Sequence, residues 1–140
     1  MGFYTKFNFT ARLNDSTPSP VIDLLNRVIN ERDLGHDKMF FKSEDVFKPE
    51  FDHCFFKCGR WYMLFLSCNF DDDLKGGVFQ KKKDVWSIKI ETEFKNYDGE
   101  IDLFIHWISP FIRGRKKKQY LGWSQTETGG SGQDHYYLNR

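Results

Sequence analysis

The chemistry most legible in this chain lies at Arg113, Arg115, Lys116, Lys117 and Lys118, five cations within six positions, with Tyr120 and Trp123 close behind. Cations that reach phosphates, set beside aromatic faces on which bases stack, are the physical recipe for holding single-stranded nucleic acid. The plainer account of the same run is a solvated loop that keeps the chain in solution. Two features weigh against nucleic acid. Glu91 and Glu93 fall on the wet side of a neighbouring strand and repel phosphate. The strand signature of RNA-recognition domains, glycine with alternating aromatics between basic residues, is absent.

His53, Cys54, Cys58 and Cys68 are soft donors that could serve a metal. Zinc sites pair their ligands closely and then repeat the pair. Here a second pair is missing, so the thiols read as small buried hydrophobes, and no cofactor is expected. Acid–base chemistry falls to His36, His53, His106 or His135, none of which has a nucleophile beside it in sequence. Asp71-Asp72-Asp73 resembles a carboxylate cluster, but neighbouring residues at a strand end point in alternate directions. No nucleophile elbow, metalloprotease helix, phosphate loop or dinucleotide fingerprint is present. Gly129-Gly130-Ser131-Gly132 lacks the Lys and the helix that a phosphate cradle needs. The expectation is a chain that is not an enzyme.

These groups are positioned by elements that the spacing predicts. From Val85 to Phe94 the even positions Trp86, Ile88, Ile90 and Phe94 are apolar and the odd ones polar, the period of a strand with one wet face. Asn96 or Asp98 can cap the helix that follows, whose apolar stripe is Ile101, Phe104, Ile105, Ile108, Phe111 and Ile112. Phe3 to Leu13 alternates in the same way. Thr17-Pro18 opens a helix carrying Val21, Ile22, Leu25, Val28 and Ile29, which Gly35 stops. Residues 39–58 hold six Phe without a period and read as a long connection with one short strand. Arg60 to Phe70 is apolar on both faces and reads as a central strand. Asp71 to Gly77 is a loop, Val78 to Gln80 extends a hairpin, and Lys81 to Lys83 is solvated. Tyr120 to Thr126 and His135 to Leu138 are the closing strands.

The resulting class is α+β. The expected fold is an antiparallel sheet with two helices packed on one face, in ferredoxin-like (βαββαβ) order with an added C-terminal strand. At 140 residues it forms a single domain. Aromatic residues make up 18% of it, 15 of them Phe, which supplies a large core. The net charge of +1 argues against a generic nucleic-acid coat but not against a local patch. No apolar run is long enough for a membrane span and no leader is visible, so membrane partners are excluded from the expectation. An odd count of three cysteines is no disulfide framework, and a cytoplasmic setting is the simplest.

Several segments together are quoted as one pattern: Phe7-Asn8-Phe9, Thr17-Pro18 with Val21-Ile22 and Leu25, Lys95 to Ile101 with Phe104, Trp107-Ile108 and Pro110 to Ile112, Leu121-Gly122-Trp123, and Tyr136-Tyr137-Leu138. The pattern resembles small uncharacterised proteins of phages, prophages and some bacteria. The resemblance implies a shared fold and an accessory role, binding a host or phage protein such as a defence component. The chain is therefore expected to act by binding a protein, with Tyr97, Tyr120, Tyr136 and Tyr137 as exposed anchors. Nucleic-acid binding through Arg113, Arg115, Lys116, Lys117, Lys118, Tyr120 and Trp123 is the alternative.

Overall fold

The computed structural model describes residues 4–31, 48–66, 76–114, 118–127 and 132–138. β1 (Thr5–Arg12) alternates buried and outward-facing positions. Thr5, Phe7, Phe9 and Ala11 turn inward, while Lys6, Asn8, Thr10 and Arg12 turn out. β3 (Val85–Phe94) answers it residue for residue in an antiparallel ladder, with Phe9 opposite Ile90 and Thr10 opposite Lys89. β2 (Gly76–Lys82) joins β3 through a two-residue hairpin at Lys83 and Asp84, both with positive φ. That is the turn whose twist matches a hairpin. β4 (Gln119–Thr126) flanks β1 on its other side, and β5 (Asp134–Leu138) flanks β4. The sheet has the order β2-β3-β1-β4-β5, and every neighbouring pair is antiparallel.

The helices lie on the face where the buried positions of β1 and β3 point. α1 (Ser19–Leu25) starts at Pro18 and runs on as a π-helical turn over Asn26–Asn30. Thr17 does not cap it. Its hydroxyl instead donates to the Asn14 carbonyl at 2.8 Å and closes the preceding turn. α3 (Glu100–Ile108) is held at its start by Asn96, whose Oδ1 accepts from the Ile101 amide at 3.0 Å. This satisfies one of the orphan donors of the first turn. Phe104 at its centre packs on Phe9 at 5.1 Å and Phe7 at 6.1 Å between ring centroids.

One expectation fails between β1 and β2, and a second is covered only in part, since 39–47 lie outside the described residues. Residues 60–66 are not strand. Backbone bonds from Met63 to Arg60, Leu64 to Trp61 and Phe65 to Tyr62 wind them into α2 (Met63–Leu66), so the described residues hold three helices where two were expected. A short run apolar on both sides fits a buried helical turn as well as a buried strand, and no period separates the two. The place expected for that strand in the sheet is taken by β2, which begins at Gly76. α2 is tied to the sheet through the Leu64 carbonyl, which accepts from the buried Thr92 hydroxyl at 2.8 Å. The part of the 39–58 connection that is described, 48–58, forms two 3₁₀ turns, Pro49–Phe51 and Cys54–Lys57, and no strand. Asp71–Asp73 and Gly129–Ser131 lie outside the described residues. Among those described, no helix is long and apolar enough to cross a membrane.

β4 reaches β1 at its closest at Gly122. A Cβ there would sit 1.8 Å from the Asn8 carbonyl oxygen and 2.9 Å from the Phe9 Cα. Both are backbone atoms in a paired strand and cannot swing aside. Gly122→Ala is expected to destabilise the protein by about 2 kcal/mol or more, the upper part of the overpacking range. A urea melt with unchanged slope and lowered midpoint is the check.

Candidate functional site

The outward face of the sheet carries no helix among the described residues. It presents Lys6, Asn8, Thr10 and Arg12 from β1, Ser87, Lys89 and Glu91 from β3, and Val78, Gln80 and Lys82 from β2. From β4 and β5 come Tyr120, Trp123, His135 and Tyr137.

Beyond Gly122 the ladder between β1 and β4 stops, because β4 bulges at Leu121 against β5. A bulge adds one residue to one strand and bends it away from its neighbour. The strands splay and leave a groove of ≈ 660 Å³. Its basic wall is Arg12, Arg113 and Lys118, and Tyr120 stands at its mouth. A second groove, ≈ 680 Å³, continues across β3 and β2 past Lys82, Lys83 and Lys89, and shares Thr10, Ala11, Arg12 and Arg113 with the first. Among the described residues six cations line the two together and no carboxylate does.

Arg113 reaches this place because its amide donates to the Arg12 carbonyl at 2.7 Å, which lays the chain after α3 across the end of β1. Its guanidinium meets Asp15 at 2.7 Å, and Lys89 meets Glu91 at 3.2 Å. Both pairs are solvent-facing and worth at most about 1 kcal/mol. Glu91 is thus half-shielded by its own neighbour, and Glu93 is buried at the far end of the sheet, lining a pocket with Tyr4, Lys6 and Glu127. The repulsion expected from these two carboxylates is correspondingly removed from the grooves.

Of the seven residues singled out from the sequence, Arg113, Lys118 and Tyr120 come together in one groove. Trp123 stands on the same face, opposite Asn8 and His135. Arg115, Lys116 and Lys117 lie outside the described residues. Sequence reasoning missed Arg12, Lys82, Lys83 and Lys89. Arg12 and Lys89 were visible as outward positions of predicted strands and Lys82 and Lys83 only as part of a solvated run, and strand order alone shows that they share one side. Tyr120 and Tyr137 are about half exposed, at 48% and 49%, with ring centroids 5.4 Å apart, and the Tyr120 hydroxyl meets His135 Nδ1 at 2.9 Å. Tyr136 is a correction. It packs edge-on against Phe7 and bonds the Ser124 hydroxyl at 2.7 Å, so it belongs to the covered side, and burial holds its hydroxyl above the usual tyrosine range.

Of the four soft donors the three described, His53, Cys54 and Cys58, form no common cluster. Cys54 is exposed, Cys58 is buried, and Cys68 lies outside the described residues. Cys58 neighbours Asp98 and Glu100, the donor atoms lying within 4.8 Å of one another. Burial first, then Glu100, Asp98 and Cys54, push its thiol above the usual range. It is a protonated thiol donating to the Cys54 carbonyl, not a thiolate. Glu100 serves α3 instead, accepting the Asp98 amide at 2.8 Å.

His53 finds a partner that sequence distance concealed. Its Nε2 lies 2.8 Å from Nδ1 of His106 on α3. The Phe55 amide donates to His53 Nδ1 at 3.1 Å, capping the second 3₁₀ turn. That nitrogen therefore carries no proton, Nε2 donates to His106, and the outer proton of His106 sits on its Nε2. Nearby, Trp107 Nε1 donates to the Glu50 carbonyl, and Glu50 Oε2 is buried without a hydrogen-bond partner.

No protein-family profile, no curated protein and no solved structure matches the chain.

Burial, then the facing His106, hold the His53 imidazole below its ordinary value. A third proton on the pair also breaks one of its two hydrogen bonds. The unfolded chain therefore binds more protons just below the ordinary imidazole value of about 6.5, so stability rises with pH there. The contribution is complete above about pH 6.5 and is lost as pH falls through the lowered folded value. Urea melts between about pH 5.5 and 7.5 should show this slope, and His106→Ala should flatten it.

Proposed function

We propose that the protein binds single-stranded nucleic acid across the open face of its sheet. The observation that carries this reading is the pair of joined grooves, lined among the described residues by six cations and no carboxylate, opening beside Tyr120. Five strands at ~4.8 Å spacing give a face on the order of 20 Å across, room for a few nucleotides. Phosphates would lie along Arg12, Lys118 and the β2–β3 lysines, and a base would stack on Tyr120 with Tyr137 beside it. Asn8, Thr10, Gln80 and Ser87 supply polar groups between the cations without fixing a sequence. A single strand suits such a face better than a duplex, since bases must reach the tyrosines.

The strand order supports a reading of the sheet as the split βαβ, ferredoxin-like arrangement with β5 appended to one edge. In that arrangement β1 and β3 are central, and here they carry Arg12 and Lys89 at the middle of the grooves.

A second reading is favoured by the exposed pair Tyr120 and Tyr137. On it the chain is a phage- or prophage-type accessory protein, and the same aromatic corner anchors a host or phage protein. The two readings separate by salt. Binding to a labelled single-stranded oligonucleotide should weaken with a log–log slope of about −0.7 per phosphate contacted. Arg12→Ala with Lys89→Ala should flatten the slope by about 1.4. Tyr120→Ala should weaken binding by about 1–3 kcal/mol at unchanged slope. Absence of binding at low salt would reject nucleic acid and leave a protein partner, whose complex would survive moderate salt.

A further inference from the structure

We propose that His53 and His106 form a surface site for a divalent transition-metal ion of the copper and nickel type, held by His53 Nε2 and His106 Nδ1 with water completing the shell. The two imidazoles come from separate elements that folding brings side by side before any ion arrives. His53 is the cap residue of the second 3₁₀ turn, and His106 stands on the last turn of α3. Phe55, two residues after His53, is buried against Trp107, so the turn and the helix are locked together beneath the pair. Folding thus meets the backbone part of the ordering cost of a two-ligand surface site, and the ring rotations remain.

The donor type selects the class of ion, since imidazole suits nickel(II) and copper(II). Once the rings have turned, nitrogens that start 2.8 Å apart need to open little to reach the ~2.9 Å of a right-angle pair with bonds of about 2.0–2.1 Å. Calcium and magnesium prefer oxygen and are excluded.

In the metal-free protein a proton occupies the place of the ion. The ring centroids are 5.0 Å apart, so the rings point almost straight at each other, as an N–H···N bond requires. Ion binding needs both rings to swing outward toward a common point. It also needs His53 to move its proton from Nε2 to Nδ1, which gives up the Phe55 amide bond. No proton is released at neutral pH, because the imidazole only changes tautomer. That change is a signature that an ion held elsewhere would not produce.

Tag-free full-length protein titrated with Ni²⁺ in a calorimeter should bind one equivalent, and the ion should raise the melting temperature in a concentration-dependent way. Both His53→Ala and His106→Ala should weaken binding at least tenfold. Because His106 is exposed, its variant is expected to fold, and a thermal melt without metal checks this. His135→Ala and Cys54→Ser should bind as the native chain does. With Zn²⁺ as a weaker, diamagnetic probe, ¹⁵N spectra of the imidazoles should show the His53 proton leave Nε2 for Nδ1. Nickel binding that persists in His106→Ala, or that is lost in Cys54→Ser, would overturn the proposal. So would the absence of binding at millimolar ion.

Discussion

The fold depends on one buried ring. Phe104, at the middle of α3, meets Phe7 and Phe9 on β1, Phe55 on the second 3₁₀ turn, Phe65 on α2 and Trp107 on its own helix, all within 6.2 Å. Three stretches far apart in sequence, β1, residues 54–66 and α3, thereby share one contact point. Removing such a ring costs about 3–5 kcal/mol, a large part of the stability of a domain this size. Most contacts are edge-on, the arrangement that the ring quadrupole favours. Aromatic richness that looked in sequence like a surplus available for partners is mostly spent in this cluster. The irregular segment 48–58 is ordered by it, since Phe51 and Phe55 are buried and Phe56 packs on Trp107.

Because that cluster gathers the apolar groups on one side, the other side of the sheet is left to polar residues. An antiparallel sheet tolerates this, since its backbone is paired within the sheet and only side chains face water. The strict alternation of β1 then does two jobs. Its odd residues carry the core, and its even residues form the groove floor, Asn8 in the first groove and Thr10 and Arg12 in both. A slip of one residue in register would exchange core and groove. Gly122 pins the register by allowing β4 to touch β1, and the bulge beside it lets β4 leave, which creates the basic opening.

Much of this was legible from the residues. The period-two runs at 5–12 and 85–94, the helix after Asn96 and the two closing strands follow from alternation, spacing and capping chemistry, which are local. Residues 60–66 were misread because Trp61, Leu64 and Phe65 are buried in a helical turn, and a four-residue helix shows no period. The basic loop was visible as a charge run, but its partners Arg12, Lys82 and Lys89 acquire meaning only from strand order. The His53–His106 contact joins residues 53 positions apart and leaves no local trace. His53 and His106 were each picked out as acid–base candidates, and His53 also for the cysteines near it, but no local pattern joined the two.

A net charge of +1 argues against a generic nucleic-acid coat, but a total does not say how charge is distributed over the two sides of the sheet. Asp98, Glu100 and Asp102 sit on or before α3, on the covered side of the sheet. A helix is about 10–12 Å thick, and the screening length at physiological salt is about 8 Å. Carboxylates beyond that layer hardly cancel charge on the open face. Those that come near, Asp15 and Glu91, engage Arg113 and Lys89, while Arg12, Lys82, Lys83 and Lys118 form no ion pair among the described residues. The potential an incoming chain meets is therefore set by which side of the sheet each charge occupies, and strand alternation, not composition, decides that.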